Sequence, residues 1–350
     1  MAVTSMQALV CAGGGELEVQ TLAAPEPGPG EVRIAVARCG ICGTDLHMVL
    51  EGYARPGSVL GHEWSGRIDE LADDVRGWAI GDRVVAGPAP ACGECRSCRR
   101  GRPAVCRRRG ATDYLSFRGA FAEYVVAEAA HLRRIPDEVS DRAAALTEPL
   151  AVVLHALSLA EVEIDDRVLV CGAGPLGLLV IAALRARGVA DITVSEPAPL
   201  RRDQAGRLGA RRLIEPADLP AAPMGEPGAD PFDIAFECSG RADAASTALD
   251  QLDRAGTLVL LGTGGAPPRF NHNRMIVLEL TVVGSFNYDH DGFDDALDLL
   301  ASGVLPIDDL VDPVEVGLPA VAAAIRESAD GLRRGKVLVD PSARREDTGP

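Results

Sequence analysis

No apolar stretch in this 350-residue chain is long enough to span a bilayer. The longest, Leu176 to Leu184, has nine residues and contains Gly177, against the roughly 20 that a spanning helix needs. Positive charge is scarce as well. Lys and Arg number 35 against 51 Asp and Glu, a net charge of −16 with His neutral, whereas a binder of nucleic acid or anionic membrane needs a basic face. Met1–Leu9 lacks a basic segment leading into an apolar stretch and a cleavage site, so no secretory signal is expected. Wholesale disorder is excluded too, because 47% of residues are apolar, ample for real cores. The length points to two domains. The expectation is a soluble, cytoplasmic protein with neither a nucleic-acid nor a membrane partner.

The cysteines do not form a secreted disulfide scaffold, which would be shorter and denser in them. There are nine, an odd number, of which Cys11, Cys39, Cys42, Cys171 and Cys238 are dispersed. The other four follow the pattern Cys92-x2-Cys95-x2-Cys98-x7-Cys106. Four thiolates on a short loop can close a tetrahedron around one zinc ion, and a closed site is structural. Bacterial ferredoxins begin with the same two spacings but continue with a gap of about three and Cys-Pro. Here the gap is seven and Arg107 follows. Arg96, Arg99, Arg100, Arg102, Arg107, Arg108 and Arg109 surround the cluster. They read as an offset to the negative charge of a tetrathiolate zinc, since no interleaved aromatics offer stacking to bases.

The first third reads as β-rich. In Glu31–Ala37, Val32, Ile34 and Val36 alternate with polar or small residues, the period-two mark of a half-buried strand. From about residue 140, strands alternate with helices: strand 166–171, helix 178–187, strand 191–196, helix 201–208, strand 232–238, helix 242–252, strand 257–262. That alternation predicts an α/β fold with a doubly wound parallel sheet. Helices are expected at 293–301 and 319–327, and a final strand at 336–339. Between the first predicted strand and its helix lies Gly172-Ala173-Gly174-Pro175-Leu176-Gly177, and Glu196 ends the next strand. This is the full dinucleotide context: glycines for a tight turn, close approach of the pyrophosphate and helix–strand packing, with the helix N-terminus facing the phosphates. Glu196 stands where a carboxylate accepts from the ribose hydroxyls and repels a 2′-phosphate, favouring NAD over NADP. Arg201 and Arg202 pull the other way.

A second candidate metal constellation is spread along the chain: Cys42, Thr44, Asp45 and His47, then His62 and Glu63, then Glu148. One thiolate, one imidazole and one or two carboxylates with an open position form a catalytic zinc pattern.

Taken together, these residues resemble the zinc-dependent medium-chain dehydrogenase/reductase family, which includes the sorbitol, butanediol and threonine dehydrogenases. The resemblance covers nearly the whole chain. It rests on Cys-Gly-Ile-Cys-Gly-Thr-Asp-Leu-His (39–47), Gly-His-Glu (61–63), Gly-Asp-Arg-Val (81–84), the four-cysteine lobe, Glu-Pro-Leu (148–150), the glycine loop and Glu-Cys-Ser-Gly (237–240). It implies a β-rich GroES-like catalytic domain (1–150 and 289–350, with a structural-zinc lobe at 91–109) and a Rossmann domain (151–288). It also implies two zinc ions per chain, with Cys42 and His62 holding the catalytic one and Glu63 and Glu148 the remaining ligand candidates. Asp45 would orient His62, and Thr44 and His47 would relay the proton. Arg201 would touch the adenosine ribose and Lys336 would approach the pyrophosphate. The Glu148-Pro149 pair and the 279–285 stretch look most like the sorbitol/butanediol branch, so the expected substrate is a secondary alcohol: a polyol, diol, cyclitol or sugar-like compound. A threonine-type substrate is the runner-up, and a silent NAD-binding sensor or scaffold is the alternative from another class. Met48, Tyr53, Leu115, Phe117 and Phe286 are candidate pocket residues. The apolar Leu278–Ser285 run, as an edge strand, points to a homodimer or tetramer.

Overall fold

A computed structural model describes residues 3–86, 91–108, 118–220, 225–289 and 291–343. Arg109, Leu115 and Phe117 lie outside the described residues. The chain divides into two compact units, one of residues 1–148, 289–302 and 312–350, the other of 149–288 and 303–311. Residues 303–311, expected in the first domain, cluster with the second.

The first unit is antiparallel. Strands β1 (Ser5–Gly13) and β2 (Glu16–Ala23) form a hairpin. β3 (Glu31–Gly40), β4 (Glu63–Leu71), β5 (Arg83–Ala86), β6 (Tyr124–Glu128) and β7 (Leu132–Arg134) build a sheet with the last strand of the chain, β14 (Leu338–Val339). Val32, Ile34 and Val36 point into the core as their alternation predicts. A shift of register between Val36 and Arg38 then re-phases the strand. Such a bulge turns side chains to a new face. It leaves Gly40 paired with Glu63 on one side and with Leu338 on the other. Three distant parts of the sequence therefore meet at the end of β3.

The second unit is a parallel sheet in the order β10-β9-β8-β11-β12-β13. Its strands are β8 (Arg167–Cys171), β9 (Asp191–Ser195), β10 (Arg212–Ile214), β11 (Phe232–Glu237), β12 (Leu252–Leu260) and β13 (Thr281–Gly284). Val168–Cys171 and Ile192–Ser195 are buried throughout, as strands covered on both faces must be. Differences from the sequence reading sit at the ends of elements. The helix expected to reach Leu252 stops at Asp250, and β12 begins at Leu252 instead of Thr257. The cause is a shift of register between Phe232 and Ile234 against β12, with Ala255 in the left-handed region at φ 60°. Leu278 ends a helix (His272–Leu278), and only Thr281–Gly284 of the apolar run is strand. That strand is the sheet's edge.

The helix Pro175–Ala186 meets the turn that follows β8 at Gly177, where a Cβ would overlap the Gly172 carbonyl oxygen. Gly177→Ala should therefore lower stability by about 2 kcal/mol, the scale of a small overpacked insertion, in a denaturant titration. An unchanged midpoint would show that the helix can shift freely against that turn.

Candidate active site

The end of β3 and the start of β4 frame a cluster. Cys42 precedes the helix Gly43–Leu50, and Asp45 closes that helix's first turn by accepting from the Cys42 N–H at 2.9 Å. His62 and Glu63 lead into β4. The ligand atoms of Cys42, His62 and Glu63 all lie within 4.8 Å of one another. Asp45, buried at 1% exposure, stands with Oδ1 3.9 Å from His62 Nδ1, an electrostatic contact longer than a hydrogen bond. Glu148 belongs to the same unit but not to that triad of ligand atoms.

The electrostatics call for a cation. Burial drives the His62 pKa down, yet Cys42, Asp45 and Glu148 outweigh it and hold it well above its usual value. Desolvation pushes the Glu148 carboxyl up to about 7 against the pull of His62, and it raises Asp45 in the same way. A cysteine sulfur, an imidazole and carboxylates brought together in this way are the donor set of a mixed zinc site. Thr44 Oγ1 is 3.7 Å from Cys42 Sγ. His47, on the same helix, meets Glu51 Oε1 at 2.5 Å through Nδ1 and remains over a third exposed. Glu51 was not among the residues singled out from sequence. Its place one helical turn beyond His47 was the available signal.

Lys336 is 4% exposed, and its ammonium donates to Glu63 Oε1 at 2.7 Å and to the Ile41 carbonyl at 3.2 Å. Glu63 Oε2 is 2.6 Å from the same nitrogen and makes no hydrogen bond among the described residues. Burial pushes the Lys336 pKa down, but Glu63, Cys42 and Glu148 together outweigh it and raise it.

The four-cysteine lobe is compact. All four sulfurs lie within 4.8 Å of one another, with separations of 3.5 Å for Cys95–Cys98, 3.5 Å for Cys92–Cys106 and 4.0 Å for Cys92–Cys98. Zinc–sulfur bonds near 2.3 Å put the corners of a tetrahedron about 3.8 Å apart. No disulfide joins any of the nine cysteines. Backbone N–H groups of Cys98 and Arg107 hold the Cys95 thiol down at about 6, and that of Cys92 helps to hold Cys106 at about 7. The six described arginines of the lobe are exposed.

In the parallel unit, Gly172 takes φ 94° and Gly174 caps the helix that opens at Pro175. Gly174, Pro175 and Leu176 keep partial exposure while Gly177 is buried. Glu196 is buried at 4% and its carboxylate accepts from Ala173 N–H at 2.8 Å and Ala198 N–H at 2.9 Å. Arg201 reaches over the loop, with Nη1 4.0 Å from where a Cβ on Gly174 would stand. Arg202 does not join it. Its Nη1 donates to the carbonyls of Glu196 and Pro197, and its Nη2 meets Glu215 at 2.6 Å. Of the candidate pocket residues, Tyr53 and Phe286 are 63% and 53% exposed, while Met48 packs against the first unit's core.

Residues 28–137 match the alcohol dehydrogenase GroES-like domain and 175–302 the zinc-binding dehydrogenase family. The sorbitol dehydrogenase of Halalkalibacterium halodurans is 34% identical over 82% of this chain and 85% of its own. The L-threonine 3-dehydrogenase of Xanthomonas euvesicatoria is 34% identical over 75% of this chain and 78% of its own. Among solved structures, a zinc-binding dehydrogenase from Sinorhizobium meliloti bound to NADP superposes with a TM-score of 0.84 at 29% identity, covering 96% of this chain and 99% of that one. An alcohol dehydrogenase from Escherichia coli complexed with NADH gives 0.84 at 27%, with the same coverage. Two family matches over most of the chain, relatives above 30% identity and a shared fold lead to one statement: this chain belongs to the zinc-dependent medium-chain dehydrogenase family and is an oxidoreductase of the alcohol dehydrogenase class.

Proposed function

We propose that the protein oxidises a secondary alcohol, namely a polyol, diol, cyclitol or sugar-like compound, to the ketone with NAD as hydride acceptor. The observation that carries this reading is the convergence of Cys42, His62 and Glu63 beside a helix bearing Thr44 and His47. Cys42 and His62 would hold a catalytic zinc with Glu63 or Glu148, and Cys92, Cys95, Cys98 and Cys106 a structural one. When bound, the catalytic metal supplies a Lewis acid that lowers the pKa of an alcohol hydroxyl. The residues do the rest. Asp45 fixes the Cys42 turn and orients His62 by its charge. The Thr44 hydroxyl would accept the proton leaving the substrate as it gives up its own to the relay, and His47, beside Glu51, would take up a proton from that relay and release it to solvent.

In the second unit, Gly172, Gly174, Pro175, Leu176 and Gly177 would receive the pyrophosphate at the helix N-terminus. Glu196 would accept from ribose hydroxyls on the lone pairs that Ala173 and Ala198 leave open, with Arg201 alongside. Substrate class is supported by the likeness to a sorbitol dehydrogenase. The likeness to a threonine dehydrogenase favours a 2-amino-3-hydroxy acid as the second reading. Nine unpaired thiols support a reducing, cytoplasmic compartment. A screen of NAD reduction over secondary alcohols, polyols, amino sugars and threonine tests the proposal. Dinucleotide binding without turnover of any of them would instead support a silent sensor.

Three outcomes are expected. Metal analysis should return two zinc ions per chain, and mild chelation should abolish activity before it unfolds the protein, because only the mixed site keeps an exchangeable position. One zinc, or simultaneous loss of activity and fold, would refute the two-site reading. Glu196→Ala should narrow the NAD/NADP ratio of kcat/KM by about tenfold, the scale of one charged contact near 1.4 kcal/mol. A wild type already preferring NADP would reverse that reading. Finally, the edge strand β13, with Val282 and Val283, should be covered by a twofold mate in a homodimer, or in a tetramer built from such dimers. A light-scattering mass of 36.6 kDa, that of one chain, would exclude this.

A further inference from the structure

Glu237 ends β11 and has no part in the chemistry described above. It is 2% exposed, and its side chain turns back on its own loop. Oε1 accepts from the Ser239 N–H at 2.8 Å, from the Gly240 N–H at 3.1 Å and from the Ser239 hydroxyl. Oε2 shares the Gly240 N–H at 3.1 Å. The main-chain carbonyl of the same residue accepts from Leu261 and Gly262, both at 2.9 Å. One residue thus ties the loop after β11 to the turn after β12. These two segments pack backbone on backbone, since a Cβ on Gly240 would overlap the Thr263 carbonyl oxygen. On its other side the loop backs the glycine-rich turn. A Cβ on Gly172 would stand 3.0 Å from Ser239 Cβ and 3.2 Å from Ser239 N, and the Cys238 N–H donates to the Cys171 carbonyl at 2.9 Å. Burial raises the Glu237 carboxyl above its ordinary range while the Ser239 and Gly240 bonds pull it down. A buried carboxylate is costly unless its hydrogen bonds are made, and here they are made by the loop alone.

We propose that Glu237 is a positioning residue of the dinucleotide site: it sets residues 238–240 as the backing that holds Gly172 and the 261–264 turn in place, and so controls cofactor binding without touching the cofactor. The inference rests on the dinucleotide reading given under the proposed function. Its test compares Glu237→Ala, Glu237→Gln and Ser239→Ala in the zinc-loaded full chain, reading NADH affinity by fluorescence, KM for NAD and for the alcohol, zinc content and Tm.

Glu237→Ala should raise the NADH Kd and the KM for NAD by about tenfold or more, as expected when a buried carboxylate and its three donors are separated. Zinc content and the KM for the alcohol should stay at wild-type values. Glu237→Gln keeps an oxygen where Oε1 meets all three donors and should return both dinucleotide constants to within about threefold. If Glu237→Ala does not fold, Ser239→Ala carries the test, because it removes one donor and should raise the same constants by about threefold. Wild-type dinucleotide constants in the folded variants, with only Tm or the active fraction reduced, would overturn the positioning role alone. A wild type that binds no NADH would overturn the dinucleotide reading and this inference with it.

Discussion

The first unit depends on one buried ion pair. Lys336 is the only lysine in a chain whose other basic residues are arginines, and its ammonium is sealed against Glu63 and the Ile41 carbonyl. A buried pair is no bargain in itself, since desolvating both partners offsets most of their attraction. What it secures is register. The Ile41 N–H donates to Val337 O at 2.9 Å, the Asp312 N–H donates to Lys336 O at 2.9 Å, and the Asp312 carboxylate accepts from Arg334 N–H at 3.0 Å. The C-terminal segment is therefore pinned on both sides of Lys336. Glu63 and the Cys42 turn are pinned through it. A guanidinium would not be an equivalent tenant, because its planar fork needs more room and more acceptors than a compact ammonium.

The second unit meets a related problem by another route. Chain leaving a parallel strand exposes N–H groups that no neighbouring strand can satisfy, and burying them unpaired is costly. Two carboxylates answer this at the same end of the sheet. Glu196 follows β9 and serves Ala173 and Ala198, and Glu237 ends β11 and serves Ser239 and Gly240. Each fastens a loop that borders the glycine-rich turn: Ala173 lies within that turn, and Ser239 lies against Gly172. The strand ends are thus held by acceptors that are themselves buried, which gives the proposed ligand loop a rigid base.

What the sequence disclosed follows from these differences. β8, β9 and β11 were readable to within a residue or so, because apolar runs between glycine turns and helices leave few alternatives. β12 was not, since Asp253, Arg254, Ala255 and Gly256 look like a turn, whereas sheet pairing draws them into a bulged strand. The glycine loop was legible for a steric reason that acts locally. Lys336 was not. Its position before the last strand was clear, but which buried acid its side chain meets depends on the bulge in β3 and the pairing of β14, neither of which leaves a local mark. The same holds for Arg202, whose neighbour in sequence reaches the loop while it turns to Glu215. For both, the direction of a long flexible side chain is decided by partners remote in sequence.

The distribution of charge shows how a protein with a net charge of −16 can be suited to both a cation and a polyanion. Fields between exposed charges are damped within about 8 Å at physiological ionic strength, so the acidic surface as a whole repels little at short range. Local groups decide. At the end of β3, Cys42, Asp45, Glu63 and Glu148 converge on one imidazole and one ammonium, a set of donors that fits a metal ion. At the end of β8, the acid nearest the loop has its carboxylate turned to Ala173 and Ala198, while the helix beginning at Pro175 presents its amino end. That end carries partial positive charge, and the Arg201 guanidinium lies over the same turn. The sign of each site is thus set within a few ångströms, by which way buried carboxylates face.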